Sequence, residues 1–131
     1  MSLHLRIPQS NLPRIVIVGG GFGGLRLARQ LARGKFQVVL IDKNNYHAFP
    51  PLLYQVATAG LDASAIATPF RKILERQKNI VFRMAEVLEI QSEHNRLITN
   101  IGDLTYHYLV IATGSTTNFF GMQDVQAHSM P

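Results

Sequence analysis

The sequence predicts an α/β fold: a parallel sheet flanked by helices, with a small antiparallel β-meander attached. Three observations carry that expectation. Two β-branched runs, Ile15-Val16-Ile17-Val18 and Val38-Val39-Leu40-Ile41, lack polar alternation, as strands buried on both faces of a parallel sheet do. Between them lie a glycine-rich turn and a stretch with apolar residues at helical spacing. Beyond residue 86, three shorter and more polar segments are separated by turn residues, which suits strands with one face in water.

The elements follow in order. Residues 1–13 hold two prolines and no periodicity, so they read as an irregular N-terminal arm. From Phe22, the positions Leu25, Ala28 and Leu31 recur at steps of three while Arg26, Arg29 and Arg33 point elsewhere; this describes an amphipathic helix, which Gly34 ends. Strand, turn, helix and strand form a βαβ unit with the usual right-handed crossover. After Asp42 the aromatic and proline residues Tyr46, His47, Phe49, Pro50 and Pro51 read as a loop, followed by a short helix over 52–57. Pro69 suits a first helical turn, with Phe70, Ile73 and Leu74 as an apolar stripe reaching about Gln77. Ile80-Val81-Phe82 predicts a third buried strand. Residues 87–90, 97–99 and 104–106 make the meander, and 108–111 a last buried strand that runs into Ala112-Thr113-Gly114.

Composition bounds the function. Of the 131 residues, 47% are hydrophobic and 16% charged, enough for one packed core and about one domain. Thirteen Lys and Arg against eight Asp and Glu give +5, and Arg6, Arg14, Arg26, Arg29, Arg33 and Lys35 all precede the first acid, Asp42. That asymmetry invites a nucleic-acid or membrane-surface reading, although no nucleic-acid-reading motif is visible and the arginines of the first helix sit at surface spacing. The absence of cysteine excludes disulfides, CxxC redox pairs, thiolate zinc sites and a cysteine nucleophile. The five histidines are scattered, with no pair at i, i+4, so no metal is expected. The longest apolar stretch, 15–25, falls short of the ~20 residues of a spanning helix, and a secretory signal fits poorly, so a cytoplasmic location is expected.

Gly19, Gly21 and Gly24 satisfy G-x-G-x-x-G between the first strand and the first helix. The first glycine makes the tight turn, the second admits a pyrophosphate to the backbone, and the third lets helix and strand pack closely. The helix N-terminus then offers its amides to the anion. An acid about 20 residues further on binds a ribose hydroxyl in such units; Asp42 stands 18 residues after Gly24 at the end of the second strand. A dinucleotide is therefore expected, with Asp42 favouring an unphosphorylated adenosine ribose and Lys43 beside it weakening that preference. NAD and FAD both carry an ADP half, so the loop alone leaves the choice open.

Gly19-Gly20-Gly21-Phe22-Gly23-Gly24, Asp42-Lys43-Asn44-Asn45-Tyr46-His47 and Pro51-Leu52-Leu53-Tyr54-Gln55-Val56-Ala57 together resemble the amino-terminal part of type II NADH dehydrogenases, single-subunit FAD enzymes that reduce quinones. Ala85-Glu86-Val87, Tyr108 to Gly114 and Asn118-Phe119-Phe120-Gly121 look like the same family. The sequence departs from it at His107, where an aspartate is usual, and at Ala48 and Pro50. The resemblance implies a Rossmann-like FAD-binding domain over 14–121, itself an incomplete domain, with 122–131 a tail toward an absent NADH-binding domain. It implies FAD contacts from Gly19, Gly21, Phe22, Gly23 and Gly24, from Asp42 and Lys43, and from the Val87 backbone at the adenine. Ala112, Thr113 and Gly114 would approach the cofactor at the end of the last strand. His47 would either reach the flavin or only cap its loop, and Phe49, Pro51, Leu52 and Leu53 would either line the flavin or quinone region or belong to the core. No catalytic side chain is assigned, because the flavin carries the hydride chemistry.

The family further implies a respiratory enzyme that passes electrons from NADH to a quinone, peripheral on the cytoplasmic membrane face through a C-terminal anchor. A fragment of this length is expected to be inactive alone, to bind FAD weakly and to self-associate through an uncovered sheet edge. Two other readings stay open on the residues alone: an NAD-dependent dehydrogenase fragment, and a non-enzymatic basic domain that binds nucleotide or nucleic acid.

Overall fold

Four parallel strands form the centre of the computed structural model: β1 (Arg14–Val18), β2 (Gln37–Asp42), β5 (Ile80–Met84) and β9 (Tyr108–Ile111), in the order β5-β2-β1-β9. The structure describes residues 5–48, 50–62, 64, 67–116 and 118–129. Phe49 and the side chain of Leu53, both named above, lie outside the described residues.

Both central strands bury alternate side chains on opposite faces. Ile15, Ile17, Val38 and Leu40 pack against helix α1 (Phe22–Leu31) and helix α3 (Phe70–Leu74) through Leu25, Ala28, Phe70 and Leu74. Val16, Val39 and Ile41 face the other way, onto Leu97 and Leu104 of the meander and Leu5 of the arm. Such double burial explains why these strands read as unbroken apolar runs, and each fully buried Val, Leu or Ile there stabilises the fold by about 1.5–3 kcal/mol. The meander is β6 (Val87–Gln91), β7 (Arg96–Thr99) and β8 (Gly102–Thr105), paired antiparallel in that order.

Several elements differ from expectation in instructive ways. Strands β5 and β9 stand at the sheet edges, so Met84, Tyr108 and Ile111 are more than half exposed although their sequences resemble those of the central strands. Tyr46–Ala48 is not loop but strand β3, paired antiparallel with β4 (Ala67–Pro69). The short helix predicted over 52–57 forms as α2 (Leu53–Ala57), after a 3-10 turn over Pro50–Leu52. Helix α3 ends at Leu74, short of Gln77, because Asn79 ties the chain back: its amide donates to the carbonyls of Leu31 and Phe36 at 3.0 Å, which starts β5. Residues 123–128 of the expected tail form helix α4 (Gln123–His128). The arm has no regular structure from residue 5 to 13, yet Leu5 is buried and Gln37 donates to the Pro8 carbonyl. His107, the departure before the last strand, accepts the Arg14 N–H on Nδ1 at 2.9 Å and donates its own N–H to the Arg14 carbonyl, so it joins β9 to the start of β1.

Strand order reverses at β1, where the chain has added β2 and β5 on one side and β9 on the other. Open α/β sheets bind ligands beyond the carboxyl ends of their strands at such a point.

Candidate functional site

The glycine turn sits at that point, and its glycines serve different purposes. Gly19 has φ +103°, donates its N–H to the Ile41 carbonyl, and a β-carbon on it would stand 2.3 Å from the Ala112 oxygen. A β-carbon on Gly24 would stand 1.8 Å from the Gly19 oxygen. Both are backbone clashes, so the first and third glycines are demanded by the protein's own packing. Gly21 and Gly23 differ: beyond their own stretch of backbone, nothing lies within 4 Å of where their side chains would begin. Space is left bare there beside the start of α1, where no side chain caps the helix and no acid occupies the first turn. The carboxylate that meets the chain at this end of the helix is that of Asp42, on the turn just ahead of it.

Asp42 is locked to the turn. Its Oδ2 accepts the Gly20 N–H at 2.7 Å and its Oδ1 accepts the Asn44 N–H at 2.8 Å. Each carboxylate oxygen keeps capacity for a further donor. Beside it opens a cleft of about 550 Å³, bordered by Gly19, Asp42, Lys43, Val87, Thr113 and Gly114, which the sequence had singled out from four separate segments. That size is ordinary for a small-molecule site. The ends of β1 and β2 contribute Val18 and Ile41, the start of the meander Ala85 and Glu86, and the segment after β9 Ser115 and Thr116. Ser115 and Thr116 were missed by sequence reasoning; their only signal is their place after Gly114, whose φ of +71° turns the chain along the cleft. Ala112 is one step removed, donating its N–H to the Val18 carbonyl at 2.7 Å.

Other predicted residues stand elsewhere. His47 Nδ1 lies 2.9 Å from the Gly20 carbonyl, which can only accept, so the ring carries its proton there. The ring packs edge-on against Phe22 and Phe70, with centroids 5.5 and 6.3 Å away. His47 therefore caps the glycine turn. Phe22 and His47 border a different cleft, of about 580 Å³, on the outer side of α1 with Arg26 and Arg29. Pro51 is exposed and Leu52 half-buried, and neither borders the cleft at Asp42. Sequence reasoning also passed over Gly20, which joins these groups: it donates to Asp42, accepts from His47, and a β-carbon on it would fall 2.2 Å from the buried Phe70 ring.

The family model for pyridine nucleotide-disulphide oxidoreductases matches residues 13–130. Among curated proteins, the type II NADH:quinone oxidoreductase NdhA of Mycobacterium tuberculosis is 41% identical over 112 residues, which are 82% of this chain and 24% of that protein. The demethylphylloquinone reductase NdbB of Synechocystis is 36% identical over 126 residues, 86% of this chain and 31% of that protein. Among solved structures, NDH2 of Plasmodium falciparum in complex with NADH superposes with a TM-score of 0.78 at 29% identity, covering 88% of this chain and 25% of that one. The sulfide:quinone oxidoreductase of Aquifex aeolicus gives 0.76 at 30% identity, over 82% and 25%. The chain spans about a quarter to a third of the length of these relatives. Among the described residues, no helix is long and apolar enough to cross a membrane.

Proposed function

The chain belongs to the pyridine nucleotide-disulphide oxidoreductase family, and from that premise we propose that it is the FAD-binding part of an enzyme that passes electrons from NADH to a quinone. The observation that carries the reading is the cleft at Asp42, where Gly19, Lys43, Val87, Thr113 and Gly114 converge beside two glycines that the protein itself leaves bare. Bound FAD supplies the acceptance of a hydride and the release of its electrons to an acceptor.

The chain's own residues do the holding. The start of α1 receives the pyrophosphate, and Gly21 and Gly23 let it approach because nothing protrudes from them. Asp42 presents its remaining acceptor capacity to the adenosine ribose, and its bonds to Gly20 and Asn44 fix its direction beforehand. The Val87 backbone flanks the adenine. Thr113 and Gly114 carry the contact along the cleft toward the rest of the cofactor. His47 acts through Gly20 by keeping the turn in its binding shape.

Parallel titrations of the purified chain with FAD and with NADH test the proposal. Saturable quenching of flavin fluorescence, weakened at least tenfold by Gly21→Val, is the expected result. Saturable NADH binding without FAD binding would instead make this the nicotinamide-binding part of a dehydrogenase.

A further inference from the structure

A third cleft, of about 560 Å³, opens at the edge strand β5, next to β2 in the sheet. It is bordered by Arg6, Arg71 and Arg83, by Asn45, and by the apolar Phe82 and Met84. Met84 pairs with Asp42 across β5 and β2, so this cleft and the one at Asp42 border neighbouring strands at the carboxyl end of the sheet. The three arginines come from three parts of the chain: the arm, the first turn of α3 and the edge strand.

Among the described residues no carboxylate borders this cleft, and the ion pair between Arg96 and Asp103 lies elsewhere. Arg83 is anchored, donating to the Phe82 carbonyl at 2.8 Å and to the Arg6 carbonyl, which also fastens the arm to β5. Those bonds leave other N–H groups of its fork available. Burial first, and then the positive charge of Arg71, hold the Arg83 guanidinium below its ordinary value. The floor is firm, because Phe82 stacks on the fully buried Phe70 with ring centroids 4.7 Å apart. Like charges gathered without a counter-ion repel one another, and an anion between them relieves that repulsion. Guanidinium forks match phosphate oxygens in geometry, and the apolar floor suits an organic body attached to the phosphate.

We propose that this arginine cleft binds the phosphate of an organic phosphate, independently of the dinucleotide cleft beside it. The phosphate comes either from a soluble phosphoester or from a phospholipid headgroup, and two arms of one experiment tell them apart. In the first, the chain is titrated with inorganic phosphate at low ionic strength and followed by amide and arginine side-chain NMR. In the second, it is sedimented with phosphatidylglycerol vesicles and with phosphatidylcholine vesicles. Arg71→Gln is the test variant, since Arg71 is exposed and its loss leaves the core intact. Arg26→Gln, an exposed arginine on α1, removes the same charge away from the cleft.

Saturable phosphate binding that Arg71→Gln weakens about tenfold and Arg26→Gln leaves within twofold supports a soluble phosphoester. Vesicle binding with the same dependence on Arg71, and no free-phosphate binding, supports a headgroup. No binding in either arm, or equal weakening by both variants, overturns the proposal.

Discussion

Gly20→Ala tests whether the glycine turn is held from beneath by Phe70. The backbone of Gly20 lies outside the left-handed region, so alanine is conformationally allowed there and would gain about 0.4–1 kcal/mol by restricting the unfolded chain. Against that stands a β-carbon 2.2 Å from Cζ and 2.6 Å from Cε1 of Phe70. The ring is fully buried and stacked on Phe82, so it has nowhere to retreat, and overpacking of this kind costs about 1–3 kcal/mol. Net destabilisation of about 1–2 kcal/mol is expected by urea unfolding followed by circular dichroism. Phe70→Leu alone costs about 2 kcal/mol, as a partial cavity. In the double variant the clash is gone, so its loss should fall short of the sum of the singles by at least about 1 kcal/mol. Additive losses, within about 0.5 kcal/mol, would refute the idea that the turn rests on this ring.

Three other outcomes follow from the same geometry. Gly24→Ala drives a β-carbon into the Gly19 carbonyl, where backbone meets backbone; a loss of about 3 kcal/mol or failure to accumulate folded protein is expected, read by thermal melting and soluble yield. Asp42→Ala removes the acceptor of both the Gly20 and Asn44 N–H groups and should cost about 2 kcal/mol in urea unfolding, with FAD affinity reduced further than stability alone explains. Asp103→Asn breaks the Arg96–Asp103 pair, which is substantially exposed on both sides, and should change stability by less than about 1 kcal/mol, with the difference shrinking in high salt.

What the sequence made legible is what local pattern determines. The runs Ile15–Val18 and Val38–Ile41 lack polar alternation because both strands are central, and the spacing of Gly19, Gly21 and Gly24 declares its turn because two of those positions cannot hold a side chain. Position within the sheet was not legible. Tyr108-Leu109-Val110-Ile111 has the composition of a buried strand, yet among the described residues it lies at an edge of the sheet. The pairing of β3 with β4 was equally hidden, since it joins three-residue strands across nearly twenty residues without alternation on either side. In the site, Asp42 and Thr113-Gly114 were readable as strand ends after a known turn. The service of Gly20 was not, because its reason is a phenylalanine fifty residues away. His47 was readable as either a flavin contact or a cap of its loop, and only the folded chain shows the carbonyl it reaches, that of Gly20.

The central claim is that the cleft at Asp42 receives the ADP half of FAD. Its most direct test is residue-resolved NMR of the labelled chain titrated with FAD. The account predicts saturable shifts of the amides of Gly19 to Gly24, Asp42, Val87, Thr113 and Gly114. Shifts confined to Leu25, Arg29 and Gln30 on the outer side of α1, or none at saturating FAD, would contradict it.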